Sequence, residues 1–171
     1  QPGWGVPGWG AAEVAAFAQW NADYAKWLMS SPDGVAEARS QNNHATLLFA
    51  EKLALMLSAG QQSLAEQVAN DVRTPHIHGS LQEQIEVSGE QKQETAREAG
   101  AEYSVMNMKG LFNLARLCSH TVSGEGIFEW KASDTSRGSV RAALDYLLQF
   151  DTNESNPWPH SQDGKPDWYE F

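Results

Sequence analysis

Large apolar residues in this chain recur at steps of three and four rather than two, and that spacing commits most of it to helices. From Ala11 to Met29 the residues Val14, Phe17, Trp20, Tyr24, Trp27 and Leu28 fall on one stripe, which predicts a helix with that stripe buried. Ser31-Pro32-Asp33-Gly34 ends it. A second helix is expected over 43–58 with Leu47, Leu48, Leu55 and Met56 inward. A short third runs over 63–72 with Leu64, Val68 and Val72 aligned, and Pro75 stops it. Pro75 to Gly89 reads as an irregular connector. A long helix follows over 101–120, its apolar face built from Val105, Met106, Met108, Leu111, Phe112, Leu114 and Ala115. A loop opened by Gly124 and Gly126 carries Ile127, Phe128 and Trp130, and a last helix over 139–150 turns Val140, Ala143, Leu144, Leu147 and Leu148 inward. With no convincing strand, the expected architecture is all-α, made of antiparallel helical hairpins.

Three segments follow from this pattern. Residues 1–10 repeat Gly-Trp-Gly at Gly3-Trp4-Gly5 and Gly8-Trp9-Gly10, and their Gly and Pro content excludes a regular helix, so they form an extended arm. Trp4 and Trp9 either dock that arm on the body or stack on sugar faces. Residues 11–160 form the helical domain, and 161–171 a tail with Pro166, Trp168 and Tyr169. A chain of 171 residues buries enough surface to need no staple. The single Cys118 is either a small buried hydrophobe or a thiol open to a second chain.

Charge narrows the partners. With 22 acidic residues against 12 Lys plus Arg, the net charge of −10 provides no broad footprint for nucleic acid. No apolar run approaches the roughly 18 residues of a membrane span, and no basic segment followed by an apolar one opens the chain. Asn153-Glu154-Ser155 is an N-glycosylation sequon in a polar stretch, as expected of a secreted protein whose leader has been removed. Metal-ligand spacing, a P-loop, a Rossmann glycine pattern and a Gly-x-Ser-x-Gly elbow are all missing. His76-x-His78 alone reads as a solvated loop pair, so neither a metal nor a cofactor is expected.

Groups able to handle protons and anions collect in three places: Asn42-Asn43-His44 at a helix start, Arg97 before the long helix, and Tyr103 in its first turns. Read alone, the first pair suits an N-cap and a solvated first-turn residue, and Tyr103 with Asn107 suits a hydrogen-bonded pair on one helix face. The wider pattern is more specific. Gln41-Asn42-Asn43-His44-Ala45-Thr46 resembles the Asn-Asn-His motif of the alginate lyase superfamily. Gln84-Ile85, Gly89, Gln91, Glu94, Arg97, Tyr103-Ser104 and Asn107 are similar, without a gap, to a second motif of that family. The resemblance continues through Arg141-Ala142-Ala143-Leu144-Asp145-Tyr146-Leu147-Leu148 to Pro157-Trp158-Pro159.

The resemblance implies part of an incomplete (α/α) toroid that binds an acidic polyuronate, alginate or glucuronan, and cleaves it by β-elimination. It implies that Asn43 and Arg97 neutralise the uronate carboxylate, that His44 and Tyr103 exchange protons at C5 and the C4 oxygen, and that Asn42, Gln84, Gln91 and Asn107 bind substrate. This chemistry needs such groups, because removing a proton beside a carboxylate builds an enolate dianion that only fixed donors make accessible. An unperturbed Tyr is a weak base at neutral pH, so Arg97 has to approach Tyr103. Six residues apart on one helix they would diverge, so Arg97 is expected in irregular backbone before Gly100.

Two departures from the family stand out. Leu47, Leu48, Phe49, Ala50 and Glu51 follow the Asn-Asn-His motif where the family has aromatic and polar residues, and Glu102 precedes Tyr103 where the family often has His. The resemblance covers the family's C-terminal half, which implies a processed fragment with a separate N-terminal chain, a homodimer that rebuilds the groove, or a reduced descendant. The competing expectation is a non-catalytic secreted glycan-binding protein, lectin-like or defensive, on the same scaffold.

Overall fold

Short polar side chains fix the starts of two helices, and the longer helices fall close to the positions expected. The computed structural model describes residues 8–121, 126–128, 130, 138–151 and 156–160. Trp4, Asn153 and the 161–171 tail lie outside the described residues. The elements are α1 (Ala11–Ser30), α2 (Pro32–Glu37), α3 (Asn43–Ser58), α4 (Gln62–Asp71), α5 (Leu81–Gln84), α6 (Lys92–Thr95), α7 (Gly100–Cys118) and α8 (Val140–Asp151). The architecture is all-α, with no strand among the described residues.

Ser31 stops α1 and caps α2 by accepting the Gly34 N–H on its Oγ at 3.1 Å, with Pro32 at the first helical position. Gly34 is needed there, since a Cβ would stand 1.9 Å from the Leu28 carbonyl oxygen. α2 is therefore clamped across the end of α1. Asn42 caps α3, its Oδ1 accepting the His44 N–H at 3.1 Å. The connector expected to be irregular contains α5, whose backbone rejoins the body through Leu81 N–H to Val72 carbonyl at 2.9 Å.

α3 and α7 form the central pair. Asn43 meets Met106 and, one turn on, Thr46 meets Gly110, so both helices advance in the same direction and begin at the same end. Gly110 permits this approach, because its missing Cβ would lie 2.9 Å from Thr46 Cγ2. α1 and α4 flank α3, and α8 packs on α7. The core joins Leu53 and Met56 of α3, Met108, Leu111 and Leu114 of α7, and Ala143 and Leu147 of α8, with Ile127 from the loop. Trp158 closes one side against Phe150 at 5.1 Å between ring centroids. Cys118 is buried, so of the two expectations for it the small hydrophobe holds.

The stripe of α1 is not where its periodicity predicts. Asn21, Ala22, Ala25 and Leu28 face the body, while Phe17, Trp20 and Trp27 are 37%, 57% and 49% exposed. Small residues let α1 lie close on α3, and the rings form an outer ladder from Trp9 through Phe17, Trp20 and Tyr24 to Trp27, with successive centroids 5.3–6.1 Å apart. Leu47, Leu64, Met106 and Leu148 are likewise exposed rather than inward.

Candidate functional site

Because α3 and α7 begin at one end, their first residues and the α6–α7 connector meet there. Asn43 is buried, and its Oδ1 accepts Arg97 Nη1 at 2.9 Å across 54 residues of sequence. The same Nη1 donates to Glu94 Oε2 at 3.1 Å, and the other oxygen of Glu94 accepts the Asn43 backbone N–H at 2.5 Å. Arg97 lies after the end of α6 and before Gly100, as the spacing argument required. Its guanidinium carbon sits 3.2 Å from the Tyr103 ring centroid, a cation–π contact that fixes both groups.

Glu94 belongs to the second motif, but sequence reasoning assigned it no role. Its side chain is 1% exposed, and burial pushes its carboxyl above the ordinary carboxylate range, against the opposing pull of the Asn43 N–H, Arg97 and His44. In sequence it is marked by its place in the motif and by lying three residues before Arg97, which puts the two on one face of a helical turn. Glu37 was missed as well. Its Oε1 lies 2.6 Å from His44 Nδ1, a pairing of two half-exposed side chains that the sequence separates by seven residues and α2 brings together.

Gln84, Gln91 and Asn107, expected on substrate, are buried and bonded to one another. Asn107 Nδ2 donates to Gln84 Oε1 at 3.0 Å and to Gln91 Oε1 at 2.8 Å, while Thr46 Oγ1 donates to Gln84 Oε1 at 3.0 Å. Gln84 Nε2 reaches the Gly79 carbonyl and Gln91 Nε2 the Ser104 carbonyl. Asn42 is half-buried and occupied as the cap of α3. Glu102 is exposed in the first turn of α7.

A pocket of about 250 Å³ opens beside His44, walled by Trp27, Asp33, Glu37, Leu47 and Glu51. Trp27, the last ring of the α1 ladder, thus borders it. Glu51 accepts the Tyr24 hydroxyl and raises that phenol's pKa by its hydrogen bond and charge. Across Leu48 a second pocket of about 300 Å³ holds Lys52, Asp71, His76 and His78. Burial lowers the Lys52 pKa and raises that of Asp71, each opposed by the other's charge. Among the described residues no cluster of three or more His, Cys, Asp and Glu side chains is arranged to hold a metal.

The described residues form an all-α protein whose fold matches the (α/α) toroid class. The sequence model of the alginate lyase family matches residues 5–158, and the chain belongs to that family. A crystal structure of an alginate lyase from Bacteroides ovatus is similar to it, with a TM-score of 0.75 and 26% identity over 90% of this chain. The match covers 38% of that enzyme's chain. In the comparison with curated proteins, no sequence matches. No described helix is long and apolar enough to cross a membrane.

Proposed function

We propose that this chain carries the catalytic groups of a polyuronate lyase, acting on alginate or glucuronan by β-elimination. The observation that carries the reading is the convergence of Asn43, Arg97 and Tyr103, joined by the 2.9 Å bond between the first two and the 3.2 Å stacking between the last two. The remaining guanidinium N–H groups and Asn43 Nδ2, which meets the weak acceptor Met106 Sδ at 3.4 Å, are the donors offered to a uronate carboxylate. With that charge neutralised, His44 and Tyr103 remove the C5 proton and protonate the C4 oxygen. The C4–O bond breaks, a C4–C5 double bond forms, and no oxidant or cofactor enters the balance. Gln84, Gln91 and Asn107 brace α3 against α7 in this reading, and Asn42 holds the helix start that presents Asn43 and His44.

Secretion and glycosylation at Asn153 belong to the same proposal. The second reading, a non-catalytic glycan-binding protein, is favoured by the exposed ladder on α1, whose rings suit sugar faces. A homodimer or a separate N-terminal chain belongs to the proposal too, and sedimentation equilibrium of the purified chain tests the homodimer. The two functional readings separate in a substitution series. In the lyase reading His44→Ala and Tyr103→Phe each lower turnover by about 10²–10⁴-fold while polymer retardation in an affinity gel stays unchanged, and Arg97→Ala weakens both. Equal turnover in all three variants would reject this site.

A further inference from the structure

We infer that Glu37 is a positioning residue that sets the tautomer of His44 and thereby makes His44 Nε2 the proton acceptor of the site. The inference rests on the proposed lyase reading for its catalytic part and on geometry alone for its tautomeric part.

A carboxylate only accepts hydrogen bonds, so the 2.6 Å separation between Glu37 Oε1 and His44 Nδ1 places the ring proton on Nδ1. In the neutral imidazole the lone pair then lies on Nε2. The main chain gives His44 no competing choice on this side, because its backbone N–H is already spent on the Asn42 cap. Glu37 and His44 both line the pocket of about 250 Å³, so the pair is at a cavity wall rather than in a packed interior.

α2 is built to make this contact. It is a six-residue helix, too short to persist by itself, and it is held by the Ser31 cap, by Pro32 and by the close approach of Gly34 to Leu28. Glu37 is its last residue, delivered over the start of α3. The outcome is an acceptor–imidazole–substrate relay in which the carboxylate orients the ring and stabilises the imidazolium formed when C5 is deprotonated. Tyr103, whose hydroxyl can donate, is left to protonate the C4 oxygen.

The test is long-range ¹⁵N–¹H correlation on the histidine-labelled protein, read together with turnover. In the wild type the neutral His44 ring shows a protonated Nδ1 and an unprotonated Nε2. Glu37→Ala gives a mixture of tautomers and a fall in kcat of about tenfold or more with KM little changed, and Glu37→Gln, neutral and able to donate through its amide as well as accept, also loses the single tautomer and does not restore the wild-type rate. Glu37 is half-exposed, so neither variant removes core packing. A wild-type tautomer in Glu37→Ala, or unchanged kcat in that variant while His44→Ala abolishes turnover, overturns the inference. Full turnover in His44→Ala overturns the lyase reading instead, and the nitrogen spectra still decide what Glu37 does to the ring.

Discussion

Glu94 concentrates the energetic conflict of the site in one side chain. Its pKa is raised because burial outweighs the hydrogen bonds and charge that favour the anion. A carboxyl raised on folding contributes stability that is full below the unfolded value of about 4.3 and is lost as pH rises through the folded value. Glu94→Gln keeps an acceptor for the Asn43 N–H and removes the buried charge. We expect wild-type urea midpoints to fall from about pH 5 to about pH 7 more than those of the variant, with the variant at least as stable at the upper pH. Asp71 shifts in the same direction and is present in both proteins, so the difference isolates Glu94. Turnover of the variant should drop, since Arg97 loses its charged anchor. Cys118, pushed up to about 11 by burial, should resist thiol reagents in the folded protein and react only after denaturation. Asn43, His44, Arg97 and Tyr103 were legible as site candidates because a motif gives residue types in order. Glu37 lies outside both motifs, and Glu94 stands in one without a stated role, because a motif does not say which carboxylate the fold will turn toward the site.

The α3–α7 pair sets the spacing of the site. Gly110→Ala places a methyl 2.9 Å from Thr46 Cγ2, closer than van der Waals contact, and should cost about 1–3 kcal/mol as the helices separate. Thermal melts should show Thr46→Ser, which deletes that methyl and keeps the hydroxyl for Gln84, restoring much of the loss in the double variant. Helix existence and length were readable at this scale, since α1, α3, α4, α7 and α8 all fall within about two residues of the periodic segments. Orientation was not. Period and spacing reveal that α1 has an aromatic stripe, but the opposite face, with Asn21, Ala22 and Ala25, packs closer to α3 and wins the interior. Gln84, Gln91 and Asn107 carry a related lesson: the resemblance gave them to substrate, and what the sequence did not reveal is that they are buried and that Asn107 Nδ2 donates to both glutamines.

At the scale of the whole molecule, a net charge of −10 opposes the approach of a polyanionic substrate. Salt should therefore help. Raising ionic strength from about 0.01 M to about 0.1 M shortens the screening length from about 30 Å to about 10 Å, and kcat/KM on polyuronate should rise over that range. A fall would mean that attraction to local cations dominates the encounter. The central claim, β-elimination at the shared end of α3 and α7, is tested most directly by ultraviolet absorbance of polymannuronate, polyguluronate and glucuronan incubated with the purified chain. Elimination leaves a conjugated C4–C5 double bond that hydrolysis does not. The account predicts rising absorbance with at least one polymer and its loss in Tyr103→Phe; a flat trace with all three would contradict it.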